Sequence, residues 1–123
     1  MKTIAVLGAS NHRQKFGNKC VRAYHLAGYR VFPVNPHEPE IEGLKTVARL
    51  ADVGEHLDRI SVYLPPPLTL ELLPEIGAAG AGEVWLNPGA ADWKVVEEGR
   101  RLGIPIRQGC SIVDVGMSPA QFP

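Results

Sequence analysis

Short apolar runs alternate along this chain with longer segments of helical period. The run TIAVLG, residues 3–8, is continuous and carries β-branched residues, the pattern of a strand buried on both faces. Similar runs are YRVFPV (29–34), RISVYL (59–64), EVWL (83–86) and IPIR (104–107). From Asn18 the spacing changes: Cys20, Tyr24 and Ala27 recur at helical intervals with Val21 beside them, while Lys19, Arg22 and His25 occupy the opposite face. Gly28 supplies the stop, and the same punctuation returns at Gly80 with Gly82 and at Gly103. Each time a helical segment closes on glycine and an apolar run begins. Strands alternating with helices predict right-handed crossovers and an α/β fold: a Rossmann-like open, mostly parallel sheet of about five strands with helices on both faces.

Two segments interrupt the pattern. Pro74 falls inside LTLELLPEIGAAG, where a proline removes a helical hydrogen bond, so a first turn near Thr69 and a restart at Pro74 are expected. Residues 37–58 have no clear period; a short strand near Thr46 and a turn of helix near Ala51 are expected there.

Composition narrows the function classes. The 123 residues suit one domain, 1–123, with a modest core. With 45% hydrophobic residues, 21% charged and zero formal net charge, the chain is neither a disordered segment nor a polycation for nucleic acid. Cys20 and Cys110 show no metal spacing and no disulfide framework, which points to a reducing, cytoplasmic setting. The opening MKTIAVLGAS imitates a signal peptide only as far as Gly8, where polar NHRQK follows. No segment approaches the roughly 20 apolar residues of a membrane span, so no membrane partner is expected.

The zero net charge hides an asymmetry. Lys2, Arg13, Lys15, Lys19, Arg22 and Arg30 all precede the first carboxylate, Glu38. Such a block is either a solvated face or the binding place of a small polyanion.

In open parallel sheets ligands bind beyond the carboxyl ends of the strands. Four loops fall there: GASNHRQKFGN, VNPHEP, LPPPLT and NPGAAD. Gly8 permits a sharp turn after the first strand, Ser10 offers a hydroxyl, Lys15 adds a charge, and the following helix presents its N–H groups to an anion. The turn is neither G-x-G-x-x-G nor a P-loop, and it also fits a plain strand-to-helix turn capped by Ser10. At the end of the second strand, where a nicotinamide dinucleotide wants an acid for its ribose, stands neutral Asn35 followed by Pro36. That substitution suits a nucleotide whose ribose itself carries a phosphate. Pro65, Pro66 and Pro67 form either a rigid connection or a flat apolar wall for an adenine or a pantetheine arm.

Taken in order, GAS with K-x-G-N, then GYRVFPVNP, PPP, VWLNPGA and a late GC resemble the small stand-alone coenzyme A-binding proteins. The series is similar in fold and loop order to the nucleotide-binding domain of the succinyl-CoA synthetase α-subunit. The resemblance implies a small-molecule ligand, coenzyme A or an acyl-CoA. It places Gly8, Ala9, Ser10, Lys15 and Gly17 around the phosphates, Asn35 and Pro36 at the nucleotide end, and Pro65 and Pro66 at the adenine side or the arm. The chain departs from the family pattern in its more basic NHRQKF turn and in Asn87, where glutamine is frequent.

The related ligases use a phosphorylated histidine and further domains, so binding without catalysis is the expectation here. None of His12, His25, His37 and His56 has a carboxylate partner by motif. Cys110 is the one candidate for thiol exchange with the coenzyme, against its being a small buried hydrophobe. Two other readings stand beside coenzyme A binding: a subunit of an NAD- or FAD-dependent oxidoreductase, and a CoA-responsive interaction module using an exposed DVGMSPAQFP tail with Met117 and Phe122.

Overall fold

The structure, a computed structural model, describes residues 1–123. Strand β1 (Thr3–Leu7) lies inside a five-stranded sheet, paired in parallel with β2 (Arg30–Val34) on one side and β5 (Arg59–Val62) on the other. Strands β6 (Glu83–Leu86) and β7 (Ile106–Gln108) continue it, giving the order β2-β1-β5-β6-β7. All five pair in parallel, as the alternation of apolar runs with helices requires. The register sets Leu7 beside both Val34 and Val62, and Leu86 beside both Val62 and Gln108. The carboxyl ends therefore finish on one edge, and the order reverses between β1 and β5.

Alternation along β1 divides the core. Ile4 and Val6 face helix α1 (Phe16–Leu26) and its buried Cys20, Val21 and Tyr24. Ala5 and Leu7 face the side covered by α2 (Pro66–Ala78) and α3 (Trp93–Arg101), through Leu73, Ile76 and Val95. Burying each such aliphatic side chain contributes about 1.5–3 kcal/mol. Helix α3 is capped by Asp92, whose Oδ1 accepts the Val95 N–H at 3.1 Å, and Arg100 and Arg101 complement its C-terminal dipole.

Helix α2 corrects the expectation of a break at Pro74. It starts at Pro66 and runs through Pro74 to Ala78 without interruption. Pro74 lies on the exposed face, while its neighbours Leu73 and Ile76 are anchored in the core.

Residues 37–58 hold a hairpin of β3 (Glu40–Ile41) and β4 (Leu44–Lys45), slightly ahead of the strand expected near Thr46. Its turn places both Glu42 (φ 51°) and Gly43 (φ 77°) in the left-handed region, the requirement of a tight two-residue connection. Val47 then bridges to Val34, and a 3-10 turn at Leu50–Asp52 meets the expected helical turn near Ala51.

The C-terminal segment also differs from expectation. After helix α4 (Ser111–Asp114) the chain folds back on α1, and Phe122 is buried. Arg22 holds it there, donating to the carbonyls of Phe122 and Pro123 at 3.1 Å each. A capping box of Ser118 and Gln121 closes the last turn. No helix is long and apolar enough to cross a membrane.

Candidate functional site

Glycine shapes the crossing point between β1 and β5. Gly8 turns out of β1 at φ 85°, and a Cβ there would come within 2.6 Å of the Tyr63 carbonyl oxygen. The first turn of α1 then packs on the Gly8 carbonyl so closely that a Cβ on Gly17 would overlap it. Gly17 thus has a packing role the sequence pattern did not expose: it lets the helix N-terminus sit directly over the strand end.

Two joined cavities open above this point. The larger, about 590 Å³, is bordered by Gly8, Ser10, Lys15, Gly17, Tyr63 and Gly89. Phe16, Pro65, Pro88 and Ala90 also line it. Helix α1 has no capping side chain at its start; the Asn18 N–H is taken by the Lys15 carbonyl at 3.1 Å, and the N–H groups of Phe16 and Gly17 are open to an anion. The second cavity, about 420 Å³, is apolar: Leu7, Val34 and Leu50 oppose Leu68, Leu72 and Ile76 of α2. Gly8, Ala9, Asn35 and Leu64 line both and form the junction. Pro36 and His37 edge the apolar cavity.

Among the six early cations only Lys15 lines the cleft. Arg13 pairs with Glu42 at 3.4 Å, and Arg22 donates to Asn18 Oδ1 at 2.8 Å besides holding the tail. Lys19 reaches the Pro119 carbonyl at 3.5 Å, and Arg30 pairs with Glu55 at 3.1 Å beyond the opposite end of the strands. The hairpin β3–β4 clasps the cationic turn: Asn11 donates to Glu38 Oε2 and the Glu40 carbonyl, and buried Asn18 donates to Glu42 Oε2 and the Ser10 carbonyl. The acids that follow the cationic block in sequence therefore fold back onto it.

Three of the four hydrogen-bonding positions of the Asn35 amide are taken. Its Nδ2 donates to the Ala9 carbonyl at 3.0 Å, while its Oδ1 accepts the N–H groups of His37 at 2.7 Å and Glu38 at 3.0 Å. An aspartate could accept both amides but would oppose the Ala9 carbonyl, which explains a neutral residue at this strand end. Ser10 Oγ likewise accepts the His12 N–H at 3.0 Å. Pro66 is the first residue of α2 and lines neither cavity, nor does His12.

Beneath the larger cleft lies a buried polar cluster. Asn87, 2% exposed, donates to Ser61 Oγ at 2.8 Å and to the Val62 carbonyl at 2.9 Å, and accepts the Ser111 N–H at 2.9 Å. Ser61 and Ser111 share a hydrogen bond of 2.7 Å, and the Tyr63 hydroxyl stands 3.3 Å from Ser111 Oγ. The Cys20 thiol donates to Ser61 at 3.6 Å; burial pushes its pKa up, as it does that of the Tyr63 phenol. Tyr24 donates to the Ser111 carbonyl at 2.7 Å, and burial raises its pKa to about 12. Cys110, half-buried, precedes α4 beside this cluster and lines neither cavity.

Sequence reasoning missed Arg49 and Glu75, both at the apolar cavity. The segment around Arg49 has no period to read. The stripe Leu68–Leu72–Ile76 at four-residue spacing was the available signal for the wall on which Glu75 stands.

A model of the family described as CoA binding domain matches residues 2–116. The chain is 31% identical over 87 residues to a trans-feruloyl-CoA synthase of an unknown prokaryotic organism, covering 68% of this chain and 12% of that protein. It is 32% identical over 100 residues to the α-subunit of an ADP-forming acetate–CoA ligase II of Pyrococcus furiosus, covering 80% of this chain and 21% of that protein. The chain thus spans about an eighth to a fifth of these curated relatives. A solved structure from Thermus thermophilus superposes with a TM-score of 0.84 at 36% identity, over 92% of this chain and 87% of that one.

Proposed function

Because the chain belongs to the CoA-binding domain family, we propose that it binds coenzyme A or an acyl-CoA across the carboxyl ends of β1, β2 and β5, with residues 1–123 acting as one domain and without catalysis of its own. The observation that carries this reading is the junction of two unlike cavities, one offering Lys15 and a helix N-terminus, the other apolar. A pyrophosphate belongs in the first and a nucleobase in the second. Gly8, Ala9, Ser10, Lys15 and Gly17 then surround the phosphates, Asn35 and Pro36 border the nucleotide end, and Pro65 flanks the arm with Pro66 behind it as the rigid start of α2. The occupied amide of Asn35 argues against an NAD reading, because no carboxylate stands at that strand end to accept the ribose hydroxyls.

Thermal melts with coenzyme A, 3′-dephospho-coenzyme A, acetyl-CoA, NAD and FAD test the reading. At 100 times its dissociation constant a ligand stabilises the fold by about 2.7 kcal/mol. Coenzyme A is expected to raise the melting temperature and NAD is not; the reverse result sinks the proposal. Lys15→Ala is expected to weaken coenzyme A binding about tenfold and to flatten its dependence on salt, since it removes a charge-assisted contact. Unchanged affinity in a titration removes Lys15 from the site.

A further inference from the structure

The apolar cavity carries one ionisable group on its helical wall. Leu68, Leu72 and Ile76 present a stripe of α2 to the cavity, and Glu75 stands next to Ile76 in the same wall. Its Oε1 accepts the Ala51 N–H at 3.1 Å and is approached by Arg49 Nη2 at 3.4 Å, two contacts that fix the carboxylate. No protein donor meets Oε2. Glu75 is the more sheltered partner, with 22% of its side chain exposed against 69% for Arg49.

Position along the cavity gives the group a direction. The residues shared with the larger cleft lie at the strand ends, and α2 starts just beyond one of them, Leu64. Glu75 is seven residues beyond Leu68, about 10 Å further along the axis. A nucleotide with its phosphates near Lys15 enters from the junction, glycosidic nitrogen outward and the far edge of the base inward. In a purine that far edge carries the substituent at position 6.

A carboxylate only accepts hydrogen bonds. At position 6 an amino group gives Oε2 a donor, whereas an oxo group sets another acceptor against it and leaves the base's only donor on that edge at N1. We infer that Glu75 is the specificity-determining residue of this cavity, selecting a 6-aminopurine over a 6-oxopurine by accepting the exocyclic amine through Oε2, with Arg49 and the Ala51 N–H as its positioning partners. This rests on the coenzyme A reading of the site and adds to it the chemistry by which the base is chosen.

Calorimetric titration of the full chain with adenosine 3′,5′-bisphosphate and inosine 3′,5′-bisphosphate, with coenzyme A as reference, tests it. The adenosine compound is expected to bind about tenfold tighter or more, the cost of opposing one sheltered acceptor to another. Glu75→Gln is expected to bring the ratio close to one, because a carboxamide donates as readily as it accepts. Glu75→Leu reaches the same ratio through weaker adenosine binding, so the result does not depend on one variant folding well. Equal binding of the two compounds by the unmodified chain overturns the inference and leaves the coenzyme A reading intact. A ratio that persists in both variants places the discrimination elsewhere and overturns it too. If neither coenzyme A nor the adenosine compound binds, the reading of the site fails and takes the inference with it.

Discussion

Gly17→Ala is expected to lower the melting temperature by roughly 8 °C and to abolish detectable coenzyme A binding. Alanine inside a helix is ordinarily favoured over glycine by about 1 kcal/mol. Here the added methyl overlaps the Gly8 carbonyl, a backbone atom that itself leaves a turn at φ 85° against Tyr63. Overpacking of this kind costs about 3 kcal/mol where no flexible side chain can yield, so the net loss is about 2 kcal/mol. The only relief is to lift the first turn of α1 off the strand end, which withdraws its N–H groups from the cleft. Gly77→Ala in α2 is the internal control. Its Cβ meets only the Ile104 side chain at 3.4 Å, so stability there is expected to hold or rise by about 0.5 kcal/mol. Equal melting temperatures for the two variants would falsify the close-packing account of Gly17.

Asn87→Ala is expected to cost about 3 kcal/mol. Truncation orphans the Ser111 N–H in a place closed to solvent and removes one of two or more partners from Ser61 Oγ, which keeps Ser111 Oγ, and from the Val62 carbonyl, which keeps the backbone N–H of residue 87. Each unsatisfied buried group costs about 1–3 kcal/mol, and only partial rearrangement is open to the serine pair. The same change frees the Pro88–Gly89–Ala90 wall of the larger cleft, so coenzyme A should lose affinity in the residual folded protein. Urea unfolding with an unchanged m-value and a lower midpoint is the expected signature. A loss below about 1 kcal/mol means that water or the neighbouring serines replace the amide, and the cluster is then not what ties β5, β6 and α4 together.

The parts of the fold that were legible in the sequence are those set by local periodicity. TIAVLG reads as a doubly buried strand because both of its faces meet helices, and Cys20, Val21 and Tyr24 read as a core stripe because α1 has one buried side. The continuity of α2 was not legible, since a proline's local cost is visible in sequence and the burial of Leu73 and Ile76 that outweighs it is not. The docking of Phe122 depends on Arg22, a hundred residues away in sequence. The cationic block shows the same limit at the site. Its charge is evident from composition, but Arg13 is taken up by Glu42 and Arg22 by Asn18 and the tail, which leaves Lys15 to the cleft. Asn35 stands out in the sequence by what it is not, an acid, while its clamping of the turn that follows shows only in the fold.

The clasp of the β3–β4 hairpin over residues 8–15 bears on the speed of binding. Ordering a free loop costs about 1–2 kcal/mol of backbone entropy for each residue that is fixed. Here Asn11, Arg13 and Asn18 have anchored that turn before any ligand arrives. The cost then falls on folding instead of on association. For the proposed ligand, association is therefore expected to proceed as a single step with no loop-ordering phase, which stopped-flow mixing would read as one exponential.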